Sequence, residues 1–344
     1  GLGLLLMVTM YPILVRSGVS KLSALSVIAI CQYIDHGPGS GNVIFAAKQA
    51  NIDPALYFVN YQLPTTIPII IVVGISIYFC AKFFDKREGF VFDRDAVEKE
   101  LNESKGKEEE LKKPPKIYAI LPVLPLLLIL GFSPVLDSIL VALNIFSQEQ
   151  MNEYAKTAIR TNVPVAMFIS TFVAIAFEMI RYKSVVDTLN SIMIFFKGMG
   201  NLFVITVSLI VCGQVFAEGL LNVGFVDILI SFAKDLGFGA FAIIIFVSLL
   251  LAVSAFFMGS GNAAFFSFAP LIPNIAKSFS LDTITMIAPI QIMTGFGRCV
   301  SPIAPAILAI SAMAKVSPLQ VVKRTAIPML VATITNIICT YIYL

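Results

Sequence analysis

The chain has 344 residues, of which 58% are hydrophobic and 13% charged, with a mean hydropathy of +0.90 and a net charge of +3. Soluble globular proteins carry about 25% charged residues, so this composition predicts a membrane protein. The small positive surplus is spread over loop ends and forms no basic stripe, which argues against a nucleic-acid partner. Membrane lipid and a solute are the partners that remain.

Long apolar runs follow one another along the chain. A helix needs about 20 apolar residues to cross a bilayer, whereas shorter runs are typical of re-entrant or interfacial segments. Runs of the long kind occupy residues 65–81, 117–145, 161–180, 199–221, 238–258, 283–315 with an interruption, and 325–344. The pattern predicts an all-α, polytopic membrane protein. Because the chain opens at Gly1 inside an apolar run, we expect part of the protein upstream.

One segment collects much of the charge. Of 45 charged residues, 20 lie between Lys82 and Lys116. This segment has helical charge pairs but little apolar surface, as in a solvated linker. Its ten basic residues favour the cytoplasmic side. We therefore predict a first membrane repeat at residues 1–83, a charged cytoplasmic linker at 84–115, and a second membrane repeat at 116–344.

The tetrapeptide Gly-Ser-Gly-Asn occurs twice, at residues 39–42 and 259–262. Each copy follows a basic residue and an apolar arm, and each precedes a short second arm and a turn that contains Asp53 or Asp282. Matched features of this kind indicate an internal repeat. They predict two inverted repeats, each with a re-entrant hairpin and a discontinuous helix. A single copy would suit an extramembrane turn equally well, and its recurrence favours the hairpin.

Polar stretches that contain proline follow both hairpins, at residues 60–68 and 294–302. In lipid, non-helical backbone is stable only where protein or a water-filled cavity surrounds it. Glycine permits tight reversals and close approach to a ligand, and proline leaves a carbonyl group without its amide partner. We therefore predict helix breaks here, and one solute site where both tips and both breaks meet, as in transporters with inverted repeats.

Arg298 is the charge that points most directly to a ligand. It lies in an apolar stretch, residues 286–313, which contains no acidic residue. Charged side chains inside a membrane normally face a functional cavity, and a guanidinium matches a carboxylate in two parallel hydrogen bonds. These properties predict an anionic, carboxylate-bearing substrate. The alternative is that Arg298 extends to an interface of the membrane.

Four further polar residues are candidates for ion coupling. Asp35 and His36 adjoin the first tip and could carry a proton, because histidine titrates near neutrality. The alternative is that they satisfy the backbone of the turn. Gln214 and Glu218 lie one turn apart on a predicted span and could line the path, although Glu218 suits an interfacial position equally well.

Three stretches resemble the anaerobic four-carbon dicarboxylate carrier family, of the type linked to succinate efflux and fumarate exchange, within the wider ion-transporter superfamily. They are residues 34–42 (IDHGPGSGN), 259–276 (GSGNAAFFSFAPLIPNIA) and 297–330 (GRCVSPIAPAILAISAMAKVSPLQVVKRTAIPML). The resemblance implies an alternating-access carrier of succinate-, fumarate- or malate-type diacids. It also implies a multi-pass protein of the bacterial inner membrane and a homodimer. This sequence differs from the family in starting within the first repeat.

By that resemblance, both tips and both breaks would surround substrate and coupling ion. The candidate substrate-binding residues are Ser40, Gly41, Asn42, Thr65, Thr66, Ser260, Gly261, Asn262, Arg298 and Ser301. No cofactor is expected beyond a coupling proton or a sodium ion, the latter at the Asn42 and Asn262 tips. Symport and exchange both stay open.

Three other functions are compatible with parts of this pattern. The same scaffold could carry another solute, such as an amino acid or a peptide. A passive channel would conduct without saturation or counterflow. A membrane-embedded hydrolase could use Ser40, His36 and Asp35, but adjacent Asp35 and His36 cannot readily orient one another, and the second tetrapeptide would have no role. The sequence therefore favours a carrier and not an enzyme.

Overall fold

The computed structural model describes residues 2–95, 97–98, 116–132, 136–137, 140–141, 162–182 and 185–343. Every regular element within these residues is helical, as predicted. The α-helices are α1 (Leu2–Arg16), α2 (Lys21–Ile30), α3 (Gly41–Gln49), α4 (Pro54–Tyr57), α5 (Leu63–Arg87), α6 (Leu124–Gly131), α7 (Val163–Tyr182), α8 (Val185–Asn222), α9 (Phe225–Asp235), α10 (Ala240–Met258), α11 (Gly261–Phe268), α12 (Ile272–Ser278), α13 (Thr283–Cys299), α14 (Pro305–Met313) and α15 (Pro318–Tyr343).

The chain divides into two compact units. The first contains residues 1–35, 62–111 and 213–344, and the second contains residues 36–61 and 112–212. In the second unit, α6 and α7 pack together around a small apolar core of Ala55, Ile129, Val163 and Ala166. Both units combine residues from the two sides of the charged segment 84–115, whose role as a domain boundary stays a prediction.

Helix α13 lies in the core of the first unit. Every residue from Met286 to Gly297 is buried. A helix that is apolar on all sides belongs in the interior, because it has no polar face to present to water. It packs against α10, α11 and α15, and its apolar side chains share one cluster with Tyr33, Ile69 and Val73 from the first half of the chain.

Two hydrogen bonds hold α15 against α13. The hydroxyl of Thr325 donates to the carbonyl oxygen of Cys299 at 2.9 Å, and the side-chain amide of Asn336 donates to the carbonyl oxygen of Pro289 at 3.2 Å. The earlier residue of α15 pairs with the later residue of α13, so the two helices are antiparallel. Polar bonds of this kind join helices in membranes, where apolar contact alone gives little preference for protein over lipid.

In the part of the chain that the structure describes, four helical stretches are long and apolar enough to cross a membrane: Pro54–Arg87, Val163–Arg181, Ala240–Met258 and Pro318–Tyr343. They contain or overlap the predicted runs 65–81, 161–180, 238–258 and 325–344. The predicted run 199–221 is part of the longer helix α8, whose residues Thr206–Asn222 meet Phe225–Asp235 at a bend of 64°. Much of the run 117–145 lies outside the described residues.

The predicted break at residues 60–68 is wrong. Thr65, Thr66 and Pro68 lie within α5, and the irregular element is a π-helix, Phe58–Gln62, immediately before it. Pro64 lies two residues after the end of the π-helix, and the stretch from Pro54 to Arg87 stays helical through it. Pro68 lies inside α5, which continues to Arg87.

The second predicted break begins later than residue 294. Helix α13 continues through Arg298 to Cys299, and the chain is non-helical only at residues 300–304, before Pro305 starts α14. Glycines 295 and 297 lower helix propensity but keep their amide groups, so the helix passes through them. Arg298 therefore lies in the last turn of a helix, and Ser301 lies in the break.

A buried ionic network joins three helices of the first unit. Arg324 of α15 is 2% exposed, and its guanidinium donates to Asp85 Oδ1 at 2.6 Å and to Glu88 Oε2 at 2.5 Å. The hydroxyls of Ser20 and Ser23, at the start of α2, also donate to Asp85 Oδ1, at 2.6 and 2.9 Å. The network therefore ties the end of α5 and the start of α2 to α15.

We expect Arg324→Leu to destabilise the protein by about 3–5 kcal/mol, because Asp85 would keep its charge in a mostly buried site without its cation. The melting temperature in detergent measures this loss. Arg16→Leu is the matched control, since Arg16 and Glu98 form an ion pair whose side chains are 45% and 38% exposed. Exposed pairs contribute little to stability, so equal shifts for the two variants would contradict the assignment.

Candidate functional site

The second Gly-Ser-Gly-Asn forms a tight reversal between α10 and α11. Gly259 has φ +65°, a left-handed conformation that glycine adopts without strain. Ser260 caps α11, because its hydroxyl accepts a hydrogen bond from the amide of Ala263 at 3.2 Å. Only two residues between the helices are non-helical, and α10 and α11 pack against each other.

Three glycines let backbone segments meet at the end of α13. A Cβ atom on Gly261 would lie 2.7 Å from the carbonyl oxygen of Thr294, and one on Gly295 would lie 2.9 Å from that of Tyr33. A Cβ atom on Gly297 would lie 2.1 Å from the carbonyl oxygen of Ala252. The second tip, α10 and the segment that ends in Tyr33 therefore all contact the same turns of α13.

Arg298 projects from this meeting point and is held by neutral acceptors. Its Nη1 donates to Asn262 Oδ1 at 3.3 Å, and its Nη2 donates to the carbonyl oxygen of Gln32. Its Nε is buried and has no partner within the described residues. No acidic side chain in the described part of the chain forms an ion pair with Arg298. Within the described residues, the Arg298 guanidinium is therefore neutralised by no carboxylate.

More hydrogen-bond donors follow Arg298 in the break. Ser301 is fully buried, and its hydroxyl has no partner among the residues that the structure describes. Helix α14 begins four residues later, and its N-cap, Ala304, offers no side-chain cap. Uncapped amides at a helix start carry a partial positive charge and favour anions. The Arg298 guanidinium, the Ser301 hydroxyl and the start of α14 together provide the positive charge and the hydrogen-bond donors that bind an anion.

The structure brings together Gly261, Asn262 and Arg298 of the predicted substrate-binding residues, with Ser260 and Ser301 adjoining them. Thr65 and Thr66 lie buried in α5 of the same unit. Ser40, Gly41 and Asn42 lie at the start of α3 in the second unit, and Ser40 is its N-cap. Their place in a shared site stays a prediction.

The four ion-coupling candidates fall in two places. Asp35 and His36 lie in the non-helical stretch between Tyr33 and Gly41, and both are half-buried. Gln214 and Glu218 lie one turn apart on α8, and both side chains are exposed. Exposure on an apolar helix suits an interfacial position as well as a path-lining one, so their roles stay predictions.

Sequence reasoning overlooked two buried glutamines, Gln62 and Gln291. Each lies nine residues after the Asp of the repeated turn and three residues before a threonine. The two copies form the same hydrogen bond. Thr65 Oγ1 donates to the Gln62 carbonyl oxygen at 2.9 Å, and Thr294 Oγ1 donates to that of Gln291 at 2.7 Å. The Asp-x8-Gln-x2-Thr spacing was visible in the sequence and extends the repeat beyond the tips.

The preceding turns match as well. Asn51 has φ +54° and Ser280 has φ +55°, and each lies two residues before the repeated Asp. In both copies the amide of the residue between them bonds back to a helix carbonyl, from Ile52 at 3.0 Å and from Leu281 at 2.9 Å. The repeat is therefore a repeat of local conformation as well as of sequence.

Comparison with known proteins agrees with an anion carrier. The family model described as DcuC, C4-dicarboxylate anaerobic carrier, matches residues 2–344. The probable anaerobic C4-dicarboxylate transporter DcuC of Vibrio cholerae serotype O1 is 31% identical over 343 residues, which cover 99% of this chain and 68% of that protein. The anaerobic C4-dicarboxylate transporter DcuC of Escherichia coli K12 is 29% identical over 340 residues, which cover 99% and 67%.

A more distant relative carries a less specific name. A putative uncharacterized transporter of Haemophilus influenzae is 29% identical over 223 residues, which cover 63% of this chain and 70% of that protein. No solved structure shows a significant match to the chain.

We expect Gly297→Ala to disrupt the site, because the added methyl group would overlap the Ala252 backbone carbonyl, which no side-chain rotation can relieve. The expected result is a lower melting temperature in detergent. Gly219→Ala on α8 is the matched control, since a Cβ atom there meets nothing within 4 Å. Alanine is the better helix former by about 1 kcal/mol, so the control should be neutral or stabilising. A Gly297→Ala protein as stable as the control would disprove the close contact.

Proposed function

The chain belongs to the C4-dicarboxylate anaerobic carrier family, and we propose that it is a secondary active transporter of small dicarboxylates of the succinate, fumarate and malate type. The names of the family and of its relatives describe carriers, not enzymes. The observation that carries the proposal is the Arg298 guanidinium, which is tied to neutral acceptors and has no ionic partner within the described residues. A substrate carboxylate supplies the missing negative charge.

Arg298 binds the carboxylate through its Nε edge. Nε is buried without a partner in the described part of the protein, and an Nη group beside it has a second hydrogen to donate. Two parallel N–H···O bonds to one carboxylate give strength and orientation. The Ser301 hydroxyl, three residues further along the chain, and the uncapped amides that follow Pro305 at the start of α14 add neutral donors. This arrangement supports binding of a second carboxylate in the break.

The rest of the proposed site follows from the repeat. The halves are inverted repeats with re-entrant hairpins, and the protein works by alternating access. Ser260, Gly261 and Asn262 contribute from the second half. The first half contributes the residues at its own tip and on α5: Ser40, Gly41, Asn42, Thr65 and Thr66.

Charge balance supports cation coupling or exchange. A dianion bound to Arg298 leaves one uncompensated negative charge in a low-dielectric site, which is costly. A proton on His36, or a sodium ion at the Asn42 and Asn262 tips, would neutralise it, and a proton on Asp35 would remove the further negative charge of that carboxylate. Exchange of one diacid for another avoids the imbalance, because the same charge crosses in both directions. Gln214 and Glu218 are proposed to line the path.

The membrane location and the assembly of the protein are proposed from its membership of a carrier family. Its membrane-spanning stretches contact lipid, and its relatives are bacterial proteins, so the bacterial inner membrane is the proposed location. A homodimer is the proposed assembly. The charged segment 84–115 is the proposed cytoplasmic linker between the halves.

We expect Arg298→Lys to reduce counterflow of labelled succinate in proteoliposomes by about tenfold or more, because lysine cannot form the paired bonds of a guanidinium. Arg181→Lys is the control, since Arg181 pairs with Glu178 through a hydrogen bond of 3.4 Å and a lysine retains that charge pair. Unlabelled fumarate and malate should compete, whereas neutral and cationic amino acids should not. Saturable counterflow distinguishes a carrier from a channel. Near-normal succinate transport by Arg298→Lys would refute the assignment of Arg298.

If His36 carries the coupling proton, His36→Gln should abolish the pH dependence of succinate uptake while leaving uptake at the favourable pH within about threefold, because glutamine keeps hydrogen-bonding groups but cannot titrate. Uptake measured across a pH series, with and without sodium, tests this. An unchanged pH profile would assign His36 to the turn alone.

A further inference from the structure

Gln62 and Thr66 form a buried polar pair, one helical turn apart, whose side-chain hydrogen bonds are not made within the described part of the chain. Gln62 is 0% exposed and Thr66 is 5% exposed. Both Nε2 and Oε1 of Gln62, and Oγ1 of Thr66, lack a partner within the described residues. Unmade hydrogen bonds at buried positions lower stability, and apolar side chains of similar shape would avoid that cost. A ligand that supplies the missing partners of these three atoms, which lie on two side chains one helical turn apart, would remove this cost.

The pair faces the interior of the protein. Gln62, Thr66, Ile69 and Val73 follow one another at helical spacing, and all four are buried. Ile69 and Val73 pack in the cluster that contains Phe296 of α13. The polar pair thus occupies the N-terminal end of an otherwise apolar buried stripe. The π-helix Phe58–Gln62 ends at the same point, and π-helical turns occur frequently at functional sites.

The internal repeat gives the pair a counterpart at the anion site. Gln62 corresponds to Gln291 in the Asp-x8-Gln-x2-Thr pattern. In the second half, the threonine of this pattern, Thr294, meets the tip glycine Gly261 through its carbonyl group. The next residue, Asn262, holds Arg298. In the second half of the chain, the Asp-x8-Gln-x2-Thr pattern therefore lies beside the proposed substrate site at Arg298.

On the basis of the proposed dicarboxylate transport, we propose that Gln62 and Thr66 form a subsite for a carboxyl group of the transported diacid. Nε2–H and Oγ1–H both donate, and a carboxyl group has the acceptors for both. A protonated carboxyl also has a hydrogen for Oε1. A metal cation cannot accept a hydrogen bond, so it would leave the N–H and O–H donors of the pair without an acceptor. The helix carries no charged residue from Pro54 to Ala81, so this subsite orients the substrate through neutral bonds.

Gln62→Met and Thr66→Val test the subsite in proteoliposomes. Both variants keep the shape of the side chain and remove its hydrogen bonds. We expect the half-saturating succinate concentration in counterflow to rise about tenfold for Gln62→Met and less for Thr66→Val, with an unchanged or higher melting temperature. Ser248→Ala is the matched control, because Ser248 is 2% exposed and its hydroxyl is also without a partner among the described residues, but it lies outside the repeated pattern. It should transport normally.

The outcomes separate the two proposals. If the unmodified protein exchanges no diacid, the proposed function itself fails, and the subsite fails with it. If the unmodified protein exchanges diacids and Gln62→Met has the same succinate affinity, only the subsite is overturned. A changed sodium requirement at unchanged succinate affinity would make the pair a cation site and would also overturn the proposal.

Discussion

The arrangement around Arg298 depends on backbone groups that approach more closely than any side chain permits. Gly261, Gly295 and Gly297 each place a Cα atom against a carbonyl group from another segment. Because glycine has no side chain, the second tip and the end of the Gln32–Tyr33 segment can both contact the last turns of α13. The guanidinium then finds its acceptors on two segments that are distant in sequence. A single methyl group at these contacts would separate the parts of the site.

Hydrogen bonds and an ionic network hold α13 and its neighbouring helices in place. Thr325 and Asn336 bond α15 to α13, and Arg324, the residue before Thr325, is anchored by Asp85 and Glu88. Helix α2 connects the two regions, since its start supplies Ser20 and Ser23 to the ionic network and its end leads to the carbonyl that holds Arg298. Donors held in place before the ligand arrives bind it without the cost of ordering them. Such a frame suits recognition of one small anion.

Sequence reasoning predicted the membrane class and most of the described spans, whereas the role of Arg298 stays a prediction. It predicted a break at residues 60–68, where the structure has a π-helix that ends at Gln62, and it started the second break six residues before residue 300, because it took glycine and proline as breakers regardless of position. The helix continues through Pro64 and Pro68, and Gly295 and Gly297 serve close packing within α13. Gln62 and Gln291 were not identified, because a single glutamine in an apolar run is not distinctive in a sequence. They become distinctive only when the repeat is extended to the Asp-x8-Gln-x2-Thr pattern.

The amino-acid sequence alone determined that this is a helical membrane protein with a repeated tip, because hydropathy and glycine content act over a few residues and can be read locally. Only the tertiary structure decided which groups meet Arg298. Its partners lie 36 residues away, at Asn262, and 266 residues away, at Gln32. No local pattern encodes such pairings, because they follow from how whole helices pack and from which backbones can touch. The surroundings of the Arg298 guanidinium, which has no ionic partner among the described residues, are therefore a property of the fold.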